Sequence, residues 1–167
     1  MNGKYVAGFI VITAAIAGIA MYWKLQESTH YTPASFQKGA EIELTLIESG
    51  QPEPILVDQI EGITAEASPL GYRACFHTPL SQAMLTETYK VYEKPTPLIA
   101  PSWFGCFDAD AIGEALEKGD AIAFLSKANV SPVDPAKPAA PEIDRVVAVF
   151  PDGRAYAWHQ LSPVAEQ

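Results

Sequence analysis

The sequence predicts an α+β domain behind an N-terminal transmembrane helix, with a mainly antiparallel sheet of about six strands and two packed helices. Three observations support this prediction. An uncharged apolar stretch opens the chain, short apolar runs are separated by turn-forming residues, and two later segments carry helix-capping residues. Strands that follow one another through turns pair antiparallel, which favours α+β over α/β. We expect both helices to cover one face of the sheet.

The N-terminal stretch, residues 5–23, contains no charged side chain. A helix of this length spans about 28 Å, close to the bilayer hydrocarbon thickness of about 30 Å. Tyr5 lies at one end and Tyr22 and Trp23 at the other, where amphipathic rings favour the headgroup region. We therefore predict an uncleaved anchor over residues 1–25.

Two other interpretations of this stretch remain open. A cleaved signal peptide would use Gly18 and Ala20 as the small residues before the cut, although the stretch exceeds the usual apolar region of about 7–15 residues. A buried core helix is seldom so uniformly apolar. For an anchor, Lys4 and the terminal amine face Lys24, which Glu27 follows closely. The positive-inside bias then predicts the cytoplasmic (inner) membrane, a cytosolic N-terminus and a periplasmic domain.

The rest of the chain divides into a polar stalk over residues 26–39 and a domain over residues 40–167, with a proline-rich loop at 131–141. The net charge of −9 and the pI of about 4.7 argue against nucleic acid and against an anionic membrane surface as partners. Both partners require a basic surface. We expect membrane contact through the N-terminal helix.

Alternating or branched apolar runs bounded by turn residues predict the strands. The predicted strands are residues 41–48, 55–57, 70–76, 121–125, 145–150 and 154–159. Residues 60–63 are ambiguous, and the proline-containing stretch at 50–54 should break the first strand. Pro-Asp-Gly at 151–153 is a strong hairpin signal.

Two helices are predicted from their caps and apolar stripes. The first begins near Thr78, as the cap, and runs to Tyr89. The second is capped by Asp108, carries Ile112 on its inner side and ends at Gly119.

Cys75 and Cys106 are the two cysteines of the chain. In an oxidising compartment they are expected to form a disulfide. The bridge would close a loop of about 31 residues, and the chain-entropy model gives it roughly 3.5–4 kcal/mol. The alternative is two separately buried thiols that act as small hydrophobic groups.

Four side chains have the chemistry of metal ligands, namely Cys75, His77, Cys106 and His159. They show neither CxxC nor HxxxH spacing, so we predict no metal and no other cofactor. A Cys106–His159 nucleophile pair is an alternative, because a thiol near a helix N-terminus can be activated. The sequence lacks kinase, hydrolase and nucleotide-binding motifs, which favours a protein that is not an enzyme.

An aromatic group forms the remaining candidate site: Trp103, Phe104, Tyr156 and Trp158. Core packing is the simpler interpretation of these residues. The alternative is a surface that binds a partner or stacks on a ligand.

Several blocks carry a resemblance to a known family: residues 73–76, 79–88, 103–107, 144–149 and 157–160. In these blocks the chain is similar to an uncharacterised family of membrane-anchored proteins from Rhodobacter-like alphaproteobacteria. Its members are often labelled "histidine kinase" by automated transfer. This sequence has no glycine-rich nucleotide lid, and the resemblance implies no catalytic residues.

The leading hypothesis is a single-pass, extracytoplasmic, non-catalytic accessory or assembly factor of a membrane or envelope complex. Its partner would be a membrane or envelope protein. One alternative is a thiol- or metal-dependent periplasmic factor that uses the two cysteines and the nearby histidines. A second alternative is a periplasmic binder of a small ligand.

Overall fold

The computed structural model describes residues 3–23, 31–65, 68–130 and 141–163, and it confirms the predicted fold class. The helices are α1 (Gly3–Trp23), α2 (Gln82–Thr88) and α3 (Ala109–Lys118). The strands are β1 (Tyr31–Pro33), β2 (Glu43–Thr45), β3 (Pro52–Pro54), β4 (Asp58–Ala65), β5 (Ser68–His77), β6 (Ile122–Lys127), β7 (Ile143–Val149) and β8 (Arg154–Leu161).

The helix α1 is long and apolar enough to cross a membrane, and none of it is buried against the rest of the protein. Length and composition allow a transmembrane span. A signal sequence near the N-terminus would have the same properties.

Six strands form one antiparallel sheet in the order β1-β4-β5-β8-β7-β6, and β2 and β3 form a separate antiparallel pair. The predicted hairpin between β7 and β8 is confirmed. Gly153 closes it with φ +88°, a conformation that favours glycine. We call the sheet end beside this hairpin the turn end. The opposite end, where Tyr31, Ser68 and Leu161 lie, is the Tyr31 end.

The sheet is covered on both faces, because successive strand residues point to opposite sides. On β8, Ala157 belongs to the first core and Trp158 to the second core. The expectation that both helices cover one face is wrong: Leu85 of α2 packs in the first core and Ile112 of α3 in the second. Between the two helices the chain passes along the edge of β6, where Val91 pairs with Phe124, and so reaches the other face.

The caps of the two helices follow local rules. Asp108 accepts a hydrogen bond from the Ala111 amide, as predicted, and Gly119 ends α3 with φ +78°. The cap of α2 is Ser81, which accepts from the Met84 amide, and the prediction of Thr78 is wrong. The Thr78 hydroxyl instead donates to the Leu56 carbonyl and so joins two loops at the turn end.

Three other segments differ from the prediction because pairing or packing with other segments decides their structure. Residues 52–54, expected to break a strand, pair with β2. Residues 55–57 form no strand, although the Ile55 side chain is buried in the first core. Residues 31–33 fall within the predicted stalk, yet they pair with β4 at the sheet edge. The rest of the stalk before residue 31, and residues 131–140 of the proline-rich loop, lie outside the described residues.

Candidate functional site

A stack of three side chains crosses the first-core face near the Tyr31 end of the sheet. The rings of Tyr72 and His159 are stacked, with centroids 4.7 Å apart. The guanidinium carbon of Arg145 lies 4.4 Å from the Tyr72 ring centroid. Arg145 on β7 is the register partner of His159 on β8, so the sheet itself assembles this group. It combines a cation, a phenol and an imidazole in a partly buried setting.

Both ring nitrogens of His159 are engaged. Nδ1 lies 2.6 Å from the Pro69 carbonyl oxygen, and Nε2 accepts a hydrogen bond from Arg145 Nε at 3.0 Å. A carbonyl only accepts, so Nδ1 carries the proton. Burial lowers the pKa of His159 to about 4, and the charges of Arg145 and Arg73 act in the same direction. The imidazole is therefore neutral at physiological pH and has no nitrogen left to act as a base.

The Tyr72 phenol of the same stack is also held neutral, because burial raises its pKa. Its hydroxyl has no hydrogen-bond partner among the described residues. Tyr72 therefore contributes a flat apolar ring, on which both His159 and Arg145 pack.

On the other face of the sheet, Arg73 is only 3% exposed and holds a loop in place. Its guanidinium donates hydrogen bonds to main-chain carbonyls of Leu98, Ile99, Leu70 and Tyr72. Burial lowers the pKa of Arg73 to about 10, so the side chain stays charged at neutral pH. The carbonyl dipoles of these peptide groups stabilise the positive charge of Arg73. The same hydrogen bonds hold the loop around residue 98 against β5.

Gln160 fastens the preceding part of the same loop. Its Oε1 accepts hydrogen bonds from the Thr96 amide and from Trp158 Nε1, while its Nε2 donates to the Lys94 carbonyl. Together with Arg73, this buried amide fixes the extended, proline-containing segment from residue 94 to residue 99. These polar contacts therefore order the surface that this segment forms at the Tyr31 end.

The disulfide between Cys75 and Cys106 confirms the predicted bridge. It ties the loop that precedes α3 to the C-terminal part of β5. Because both sulfurs are bonded, neither is a thiolate that could act as a nucleophile. His159 stacks on Tyr72 of the first core, whereas Cys75 lies in the second core, so the structure does not bring together a Cys106–His159 pair.

The predicted metal candidates are brought together only in part. His77 and both cysteines line an open recess of about 200 Å³, together with Tyr156. The Glu61 carboxylate lies within 4.8 Å of both sulfurs, and His159 is not part of this group. Sequence reasoning missed Glu61 because only the β4–β5 register places it opposite Cys75. In the disulfide form the sulfurs are not the thiolates that zinc or copper(I) requires.

The four aromatic candidates separate into core and surface residues. Trp158 and Phe104 are buried in the second core, and Tyr156 is half-buried against Phe107. Trp103 is 51% exposed and contacts the edge of the Tyr31 ring. Of the aromatic surface suggested by the sequence, Trp103 therefore offers the largest exposed part.

A further apolar surface at the Tyr31 end was not found from the sequence. Ile99 is 78% exposed on the loop that Arg73 holds. Beside it lies a groove of about 250 Å³. The groove is lined by Leu70, Lys94, Thr96, Leu98, Gln160, Leu161 and Pro163. These residues come from three separate segments, and their sequence spacing carries no periodic signal that could have indicated a groove.

Comparison with known proteins adds the family. The model of a family of unknown function, DUF6446, matches residues 42–167, from just before β2 to the C-terminus. No curated protein and no solved structure matches the chain. The expectation of an uncharacterised family is thus confirmed. With three quarters of its length matched, the chain belongs to the family of unknown function DUF6446.

Proposed function

We propose that this protein is a single-pass accessory or assembly factor of a membrane or envelope complex, with a non-catalytic periplasmic domain and a cytosolic N-terminus in the inner membrane. The length and composition of α1 support the anchor. The disulfide supports an oxidising compartment, because such bonds persist there and are rare in the cytosol.

The observation that carries the proposal is that buried polar side chains form their hydrogen bonds with other groups of the same chain. The ring nitrogens of His159, the guanidinium of Arg73 and the amide of Gln160 are all bonded within the chain. Asp144 likewise accepts from the Asn129 amide and the Tyr92 hydroxyl. Catalytic groups are usually held ready for a substrate. Here the same residue types order the loop and strands around the groove.

The groove is the surface that we assign to the protein partner. Its lining is mostly aliphatic and includes the fixed Gln160 amide, a composition suited to an extended apolar segment. Lys94 in the lining is a positive group on a chain of net charge −9. A partner segment with an acidic residue beside apolar ones would therefore fit this groove better than a basic segment.

Site-specific photo-crosslinking in cells tests this assignment. A photoreactive residue replaces Leu161, which lines the groove and is 38% exposed, or Leu56, which is 67% exposed and lies at the turn end. We expect one reproducible adduct with a membrane or envelope protein from position 161 and none from position 56. Equal adducts at both positions, or none at position 161, would contradict the proposal.

The orientation needs its own measurement. After permeabilisation of the outer membrane, added protease should digest the domain while a cytosolic marker stays intact. Protection of the domain under these conditions would refute the periplasmic location.

A second candidate function is a thiol- or metal-dependent factor. The specific observation in its favour is the open recess, which both cysteines line with His77, while the Glu61 carboxylate lies within 4.8 Å of both sulfurs. Counting alkylatable thiols in protein isolated after native export separates the two functions. Two free thiols, or bound zinc or copper, would support the second candidate, and a fully bridged protein without metal would support the first.

A further inference from the structure

Among the described residues of the domain, the large hydrophobic side chain with the greatest exposure is Ile99, on a loop close to the point where the sheet begins. We propose that Ile99 and Trp103 insert into the interface of the same membrane in which α1 is anchored, so that the domain rests on the bilayer with its Tyr31 end down. This inference rests on the anchored state proposed above, and it names lipid as the occupant of the loop rather than the partner of the groove.

The length of the connecting chain brings the loop to the membrane. Eight Cα–Cα steps separate Trp23, the last residue of α1, from Tyr31, the first residue of β1. At about 3.3–3.6 Å per residue, these two residues are at most about 29 Å apart. The ring centroids of Tyr31 and Trp103 are 6.4 Å apart. The anchor therefore keeps Tyr31, and with it Trp103, within reach of the bilayer surface.

The chemistry of the loop suits the interface of a bilayer. Ile99 is 78% exposed and Trp103 is 51% exposed, so both hold large apolar areas in water. Tryptophan is enriched at the headgroup level, where its apolar ring and its N–H are both accommodated. The chain thus carries interfacial aromatic residues at the end of α1, Tyr22 and Trp23, and again in this loop.

The loop is already ordered before it meets lipid. Arg73 donates hydrogen bonds to the carbonyls of Leu98 and Ile99, and the disulfide at Cys106 holds the chain three residues after Trp103. Insertion of a preorganised loop loses little conformational entropy. Apolar contact with lipid then favours the orientation with the Tyr31 end down.

Charge separates this mode of contact from electrostatic adsorption. The net charge of −9 disfavours an anionic surface, so the contact we propose depends on apolar insertion. It should occur on zwitterionic lipid, should not strengthen with added anionic lipid and should change little with salt.

Lipid-resident quenchers test the proposal on the full chain in nanodiscs of phosphatidylcholine. A Trp23→Phe background leaves Trp103 and the fully buried Trp158 as emitters. Quenchers attached near the headgroup should reduce the Trp103 emission at least twofold, with a Trp103→Phe variant supplying the Trp158 contribution. Ile99→Ser should relieve most of this quenching. Leu56→Ser, a comparably exposed leucine at the turn end, is the matched control and should not.

Two readouts test the membrane anchor and the insertion of the loop separately. Co-elution with the nanodiscs reports the anchor, and protein that does not co-elute overturns both proposals. Protein that co-elutes but shows no quenching of Trp103 overturns the insertion of the loop alone. Quenching that Leu56→Ser relieves as strongly as Ile99→Ser also overturns it. A photo-crosslinker at Ile99 that captures protein instead of lipid assigns the loop to a protein partner and refutes the lipid contact.

Discussion

Replacing His159 by glutamine should remove one component of the pH dependence of stability. In the folded chain the imidazole is buried between the Arg145 guanidinium and the Pro69 carbonyl, and its pKa is lowered from 6.5 to about 4. In the unfolded chain both constraints are absent. The two states therefore bind different numbers of protons between these two pH values. Glutamine does not titrate, and its amide can still donate and accept hydrogen bonds.

The sign and size of the effect follow from this difference. Above pH 6.5 the imidazole is neutral in both states. As the pH falls through 6.5, the unfolded state takes up a proton that the folded state excludes, so the free energy of unfolding decreases until about pH 4. One pH unit is worth about 1.4 kcal/mol, so the full loss is about 3 kcal/mol. Between pH 7.5 and pH 5, His159 should account for about 2 kcal/mol of it.

Urea unfolding of the full chain in detergent, at pH 7.5 and pH 5, measures this difference. Both proteins are measured in a Trp23→Phe/Trp103→Phe background, so that the emission of the fully buried Trp158 reports the unfolding of the domain. The wild type should lose about 2 kcal/mol more than His159→Gln over this interval. All other titrating groups are common to both proteins, so their contributions cancel in the comparison. Equal losses in the two proteins, or a His159 NMR resonance that titrates near 6.5, would refute the reasoning.

Three further changes have defined outcomes in the same unfolding assay. A Cys75→Ser/Cys106→Ser double variant should lose about 3.5–4 kcal/mol, because the bridge closes a sequence separation of 31; an unchanged urea midpoint would argue against it. Gly153→Ala should destabilise the domain by more than 1 kcal/mol, since φ is +88° and a Cβ would lie 2.5 Å from His77 Nε2; a neutral effect would show that the turn can relax. Gly113→Ala in α3 is its matched control and should stabilise by about 0.5–1 kcal/mol, because an added Cβ contacts nothing within 4 Å and alanine favours the helix.

The elements that were predicted correctly are those with local signals. The capping carboxylate of Asp108 and the glycine at 119 define the two ends of α3 through contacts with the helix itself. Pro-Asp-Gly at 151–153 specifies its hairpin for the same reason. Strand β1 and strand β3 carry no such signal. Each is only three residues long and exists because another strand pairs with it, the distant β4 for β1 and the nearby β2 for β3.

The candidate site shows the same division. The predicted pairing of Cys75 with Cys106 is confirmed, since a chain with two cysteines allows one internal bridge. His159 was considered as a metal ligand, but its partners are Arg145 on the next strand and a carbonyl 90 positions earlier in the chain. Spacing along the sequence carries no information on contacts of this range. The sequence carries no signal for the exposure of Ile99, because this exposure depends on the loop held by Arg73.

By itself, the sequence determined the apolar N-terminal helix, the α+β class, the second helix with its caps and the bridge between the cysteines. These features follow from hydrophobicity, turn chemistry and cysteine number, all of which act over short distances or need no geometry. The tertiary structure alone decided that the helices lie on opposite faces, that His159 is buried and neutral, and that Ile99 and the groove gather at the Tyr31 end. Strand register and packing determine those outcomes, because they bring together side chains that are far apart in the chain.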